Sequence, residues 1–276
     1  MRDVKKRKTF FNYNELALIS APIETQEELS FEWTEYYTEN ISIFIADEKS
    51  SDDYLPSYDE INNEFEVQYK FLDNMRLAYK LFNDNRLNIF IFPKHISEVM
   101  IGTSGGGFYN GEKNSILFCS SGTIKLPRNN EISLIGYHET VHFLQFENLG
   151  ISYSRLLVEG LANYFDGAYG IEYVEEKINK KQHYKWIEEQ KKSNNILCIN
   201  DLVQDSLLSY KIDESIFYPQ SAAFISWLLA KYGFDKYKEL YRLEYELISG
   251  KIYDVIGDRK ETIENDYKDY ILNIYQ

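Results

Sequence analysis

Two histidines four residues apart, His138 and His142, with Glu139 directly after the first, constrain this chain more than any other feature. In a helix, four residues turn through about 400°, so both imidazoles emerge about 40° apart on one face, one turn apart. That placement lets both rings bind a single zinc ion, while Glu139, about 100° further round, addresses a water on the metal. Only four histidines occur in 276 residues. A chance His-Glu-x-x-His is then on the order of one in a hundred. The competing reading is a pair of partly buried histidines bonded to backbone carbonyls.

The surroundings decide between these readings. Asn130 to Gly150, NEISLIGYHETVHFLQFENLG, reads as one helix: Asn130 caps it, Glu131 suits the positive end of its dipole, and Gly150 ends it. Leu134, Tyr137, Val141 and Leu144 recur at helical spacing and form a stripe facing the core. Ile135, His138, His142 and Gln145 form the neighbouring stripe, beside the buried face.

A catalytic zinc site takes three protein ligands and keeps a fourth position for water. The next helix, RLLVEGLANYFDGAY from Arg155 to Tyr169, offers Glu159 as the third. Leu156, Leu157, Leu161 and Tyr164 are its expected buried side, and Glu159, Asn163 and Asp166 share another face. A glutamate on a helix is ordinarily solvated. Its place after the histidine motif, with the small Gly160 and Ala162 around it, favours the ligand reading.

HETVHFLQ followed by VEGLANYF resembles the gluzincin metallopeptidases, in which His-Glu-x-x-His is followed by a glutamate ligand in an E-G-x-A context. The wording is most similar to the peptidase MA-like family, whose members continue into a helix resembling YPQSAAFISWLLAKYG, here Tyr218 to Gly233. The resemblance covers about residues 100 to 245. It implies His138, His142 and Glu159 as zinc ligands, Glu139 as general base, and a peptide or protein as substrate. It also implies a downstream tyrosine or histidine that stabilises the oxyanion. Tyr218 is the candidate. His183 is the alternative, but it sits in the charged run KKQHYKWIEEQKK, which reads as a solvated helix face. His95, after LNIFIFP, reads as structural. In thermolysin-like enzymes an aspartate four residues after the glutamate ligand orients the first histidine. Here that position is Asn163, and Asp166, one turn on, is the substitute candidate.

The rest of the chain narrows the setting. A net charge of −14 argues against a nucleic-acid partner and is neutral towards peptides. Lys5, Lys6, Arg7 and Lys8 read as a solvated terminus, with a nucleic-acid or membrane arm as the alternative. No secretion signal and no uncharged apolar stretch of membrane-spanning length is visible, which points to a cytoplasmic protein with no membrane span. Cys119 and Cys198 are too few for a disulfide framework. The oligomeric state is open.

Ile41 to Ala46 and Leu87 to Phe92 read as buried strands from their β-branched and aromatic content. Between them, residues 61–84 read as a helix with Phe65, Tyr69, Leu72, Leu77 and Leu81 on its inner face. Ser115 to Cys119 reads as a short strand at the sheet edge that pairs with an extended substrate in zincins, with Gly105, Gly106 and Gly107 as a lip. An ordinary glycine-rich loop before a core strand is the other reading. From Arg155 on, the pattern is nearly all helical, with Gly233 as a helix stop. The expected fold is therefore α+β and zincin-like. Residues 1–152 form a mixed sheet with helices carrying the histidine motif. Residues 153–276 form a helical part carrying Glu159, with the active cleft between them.

The function expected is a zinc-dependent metallopeptidase. It is an endo- or oligopeptidase, because no motif such as G-x-M-E-N for holding a free terminus is present. The alternative is a zincin-like module that binds but does not cut. A helical protein with a chance motif leaves Glu159 in its E-G-x-A context unexplained.

Overall fold

Ile41–Ala46 and Leu87–Phe92, both dominated by isoleucine and phenylalanine, lie side by side as parallel strands in the middle of a six-stranded mixed sheet. This computed structural model describes residues 3–11, 31–47, 56–92, 107–111, 115–119, 126–128, 131–152, 154–166, 172–174, 177–179, 192, 196–208, 211–243 and 250–273. The chain forms two compact units, Met1–Asn148 and Leu149–Gln276, and it is α+β.

The sheet of the first unit contains β1 (Lys5–Phe11), β2 (Phe31–Tyr37), β3 (Ile41–Ala46), β4 (Leu87–Phe92), β5 (Gly107–Asn110) and β6 (Ser115–Cys119). Its order is β1-β2-β3-β4-β6-β5. β3, β4 and β6 are mutually parallel, with Ile43 opposite Ile89 and Ile89 opposite Ile116. β1, β2 and β3 pair antiparallel, and β5 runs antiparallel to β6. Trp33 is fully buried, edge-on to Phe90 and Phe92 at 5.4 and 5.0 Å.

The basic run from Lys5 to Lys8 is exposed, as expected of a solvated run, and it forms part of an outer strand. Arg7 stands opposite Glu35 in the β1–β2 register and pairs with it, and Lys8 pairs with Asp47. Glu35 is almost fully buried and also accepts the Ser42 hydroxyl at 2.9 Å, so its charge is met on two sides. One expectation is corrected here: Ser115–Cys119 is not the sheet edge. β5 occupies its outer side, so the terminal strand is Gly107–Asn110.

A parallel pair of strands needs a crossover, and α1 (Tyr58–Tyr79) connects β3 to β4. Ser57 and Glu60 form a reciprocal capping box at its start, and Lys80 in the left-handed region closes it. Ile61, Phe65, Leu72 and Met75 make its buried face. Leu77 falls off that face and is 67% exposed, and Leu81 is buried beyond the helix end. A small hairpin, β7 (Leu126–Arg128) with β8 (Glu131–Ser133), precedes α2 (His138–Leu149).

In the second unit, α3 (Arg155–Asp166) is followed by a hairpin of β9 (Glu172–Val174) and β10 (Lys177–Asn179), which interrupts the otherwise helical pattern. Then come α4 (Ile199–Leu208), α5 (Glu214–Tyr241), α6 (Lys251–Ile256) and α7 (Lys260–Asn273). The α5 backbone leaves helical geometry at Gly233 (φ 77°, ψ 175°), where a stop is expected. α3 packs closely on α5. The Tyr237 hydroxyl donates to the Leu157 carbonyl at 3.1 Å, and Tyr267 donates to the Gln220 carbonyl at 3.2 Å. No helix among the described residues is long and apolar enough to cross a membrane.

Candidate metal centre

α2 begins at His138 itself, not at Asn130. Residues Glu131–Ser133 are spent in β8, and Gly136 takes a left-handed φ of 72° that a helix cannot contain. The first helical bond, Val141 N–H to Tyr137 carbonyl at 2.8 Å, closes around the histidine. Val141, Phe143 and Leu144 are completely buried, and the Tyr137 ring stacks on Phe71 at 4.2 Å. These apolar anchors fix which side of the helix faces inward. His138, Glu139 and His142 are left half-buried.

The two imidazoles meet edge to face, with ring centroids 4.7 Å apart and Nε2 atoms 3.1 Å apart. His142 Nδ1 lies 3.0 Å from the Oε1 of Gln145, which is buried. An amide oxygen only accepts, so this contact favours the tautomer with the proton on Nδ1 and the lone pair on Nε2, the nitrogen that faces His138. Two nitrogens each about 2.0–2.1 Å from one tetrahedral zinc stand about 3.3 Å apart. The observed separation is close to that, so the pair fits one shared ion.

The far end of α2 is tied down as well. Asn148 accepts the Phe82 N–H at 2.9 Å and donates to the Phe82 carbonyl at 2.8 Å, and Glu147 accepts from Asn85. Against the same helix, Tyr109 of β5 packs edge-on to Phe143 and Phe146. Gly111 lies so close to the Phe146 ring that a Cβ there would stand 2.7 Å from it.

In the second unit, Glu159 is half-buried on α3, whose Leu156, Leu157, Leu161 and Ala162 are completely buried. Asn163 is also buried, and its amide donates to the Glu159 carbonyl at 2.9 Å. The Asp166 side chain, His95, His183, Gly105, Gly106 and the Cys119 side chain lie outside the described residues. Cys198 is exposed.

Tyr218 is half-buried on α5, and its hydroxyl donates to Glu214 at 3.3 Å. Burial, reinforced by the Glu159 charge, pushes that hydroxyl up to about 12, with the neighbouring Arg155 opposing the shift. Arg155, beside Tyr218, is a buried charge that the apolar periodicity of α3 does not mark. Its side chain is 5% exposed, 3.5 Å from Asp205 and 3.4 Å from Glu214, with the guanidinium over Phe217 at 4.3 Å and Tyr218 at 5.0 Å. Its only mark in the sequence is an arginine one turn before Glu159 on a leucine-rich helix.

The sequence matches no protein-family profile and no curated protein. Among solved structures it is similar to the M1 zinc metallopeptidase from Deinococcus radiodurans and to a point mutant of that enzyme. Identity is 9% in both cases, with TM-scores of 0.47 and 0.46. The match takes in 97% of this chain and 52% of each of those chains, so this chain spans about half their length.

Proposed function

We propose that this protein is a zinc-dependent peptidase in which His138, His142 and Glu159 hold the metal, Glu139 is the general base and Tyr218 stabilises the oxyanion. Two imidazole nitrogens and one carboxylate oxygen are a donor set that suits zinc and leaves a position for water. The observation that carries the reading is the His138–His142 pair, with Nε2 atoms 3.1 Å apart and His142 Nδ1 3.0 Å from Gln145 Oε1.

A zinc ion supplies Lewis-acid polarisation of a peptide carbonyl and acidifies water. Glu139, on the same turn as His138 and about 100° round the helix, takes the water's proton and delivers it to the leaving amine. Tyr218 carries its proton throughout the neutral range, so its hydroxyl, turning from Glu214, donates a hydrogen bond to the developing oxyanion. An extended peptide adds alongside β5, the terminal strand of the sheet, through main-chain hydrogen bonds. That recognition reads backbone more than side chains, which favours an endo- or oligopeptidase.

Metal analysis of the purified chain, with cleavage of a mixed peptide library by wild type and Glu139→Gln, tests the proposal. About one zinc per chain is expected, with the variant retaining zinc and losing cleavage. Zinc-loaded wild type that cuts nothing would make the protein a binding module instead. Equal cleavage by both forms would remove Glu139 from the mechanism.

A further inference from the structure

Two polar side chains of α1 are buried among its apolar ones and reach across to the first turn of α2. Glu64 and Gln68, one turn apart, are 1% and 0% exposed within the face formed by Ile61, Phe65, Leu72 and Met75. Gln68 Nε2 donates to Glu64 Oε1 at 2.7 Å and to the Gly136 carbonyl at 2.8 Å. Gln68 Oε1 accepts the hydroxyl of Thr140, itself fully buried, at 2.8 Å. The second Glu64 oxygen accepts the Leu134 N–H.

An apolar pair would fill the same space without the cost of burying a carboxylate and an amide. Directional bonds add a fixed geometry, and the groups they reach are Leu134, Gly136 and Thr140, which bracket His138. Thr140 lies about 200° round the helix from both His138 and His142, so Gln68 grips α2 from behind the imidazoles. The bond to Gly136 fixes where the helix starts, and the bond to Thr140 fixes its rotation. Metal ligands need to be held within about 0.5 Å and 10–20° of their productive placement.

We infer that Glu64 and Gln68 are positioning residues of the metal helix: they lock the start and rotational phase of α2 so that His138 and His142 address one ion. The inference rests on the zinc reading of that pair.

Chelator competition on the full chain measures zinc affinity for wild type, Thr140→Val, Thr140→Ser, Gln68→Leu and Ile89→Val, with the Tm of each metal-free protein recorded alongside. Ile89 is a buried β4 residue and serves as a control for stability loss away from α2. Thr140→Val and Gln68→Leu are expected to bind zinc at least about tenfold more weakly. Thr140→Ser, which keeps the hydroxyl, should stay within about twofold of wild type. Ile89→Val should lower Tm and leave zinc affinity unchanged. If Gln68→Leu fails to fold, the Thr140→Val against Thr140→Ser comparison decides. Wild-type affinity in Thr140→Val overturns the inference while the zinc reading stands, as does affinity that merely follows Tm through Ile89→Val. Wild type that takes up no zinc removes the zinc reading and this inference together.

Discussion

Gly160 and Ile225 approach so closely that a Cβ on Gly160 would lie 2.9 Å from Ile225 Cγ1, and 3.0 Å from the Ser221 carbonyl oxygen. This contact gives a packing reason for one feature of the sequence. The glycine beside Glu159, facing Ser221 and Ile225 of α5, is what lets α3 and α5 come together here. Gly160→Ala gains up to about 1 kcal/mol in helix propensity but forces two helices apart, which costs about 1–3 kcal/mol. A net loss of stability is expected, read as a lowered urea midpoint. An unchanged or raised midpoint would show that α5 yields freely at this contact.

Gln145→Leu keeps the bulk of a buried side chain and removes the acceptor that holds the His142 proton on Nδ1. The ring is then free to flip or change tautomer. On the proposed zinc reading, zinc affinity should fall about 10–100-fold, with Glu139 and both histidines intact. Titration against a chromophoric chelator measures this directly. Affinity equal to wild type would mean that packing alone orients the imidazole.

The histidine pair is legible in the sequence because a spacing of four has one meaning on a helix, whatever lies around it. Val141, Leu144, Leu156, Leu157 and Leu161 are legible for the same reason: apolar residues at helical period go inward, and all are buried. The start of α2 is not. Asn130 looks like a cap, yet Gly136 breaks the helix, because a short hairpin and the bonds from Gln68 give the preceding backbone other partners. Glu64 and Gln68 escape notice because periodicity counts apolar residues, and a polar residue on the buried face is recognisable only once its partners are in place. The pairing of β5 with β6 is equally hidden, since Gly107–Asn110 carries too little apolar pattern to mark a strand.

Arg155 and Asp205 form a buried ion pair at 3.5 Å, with both side chains about 5% exposed or less. Asp205 also accepts the N–H groups of Lys211 and Ile212. Glu214, Arg155's second partner, is 70% exposed and contributes little. Arg155→Met therefore leaves a buried carboxylate without its cation and should cost about 3–5 kcal/mol. Adding Asp205→Asn removes the stranded charge while keeping an oxygen for the two N–H groups. The double variant should recover much of the loss. Urea denaturation of the two single variants and the double variant measures the coupling, and additive losses would contradict it.

Tyr267 is fully buried, with its hydroxyl donating to the Gln220 carbonyl, and burial raises its pKa well above the ordinary tyrosine value. Burial and the Glu264 carboxylate raise Tyr253 in the same direction. Below about pH 10 both the folded and unfolded chains keep these protons, so the stabilisation is complete. Above that, the unfolded chain ionises while the folded one resists, and stability falls as pH rises towards the folded pKa. Tyr267→Phe loses one hydrogen bond, about 1 kcal/mol at neutral pH, but it removes one source of the alkaline loss. The gap between wild type and variant should therefore narrow when urea midpoints at about pH 7 and about pH 11 are compared. A gap that stays constant would mean Tyr267 ionises as readily in the folded protein as in the unfolded chain.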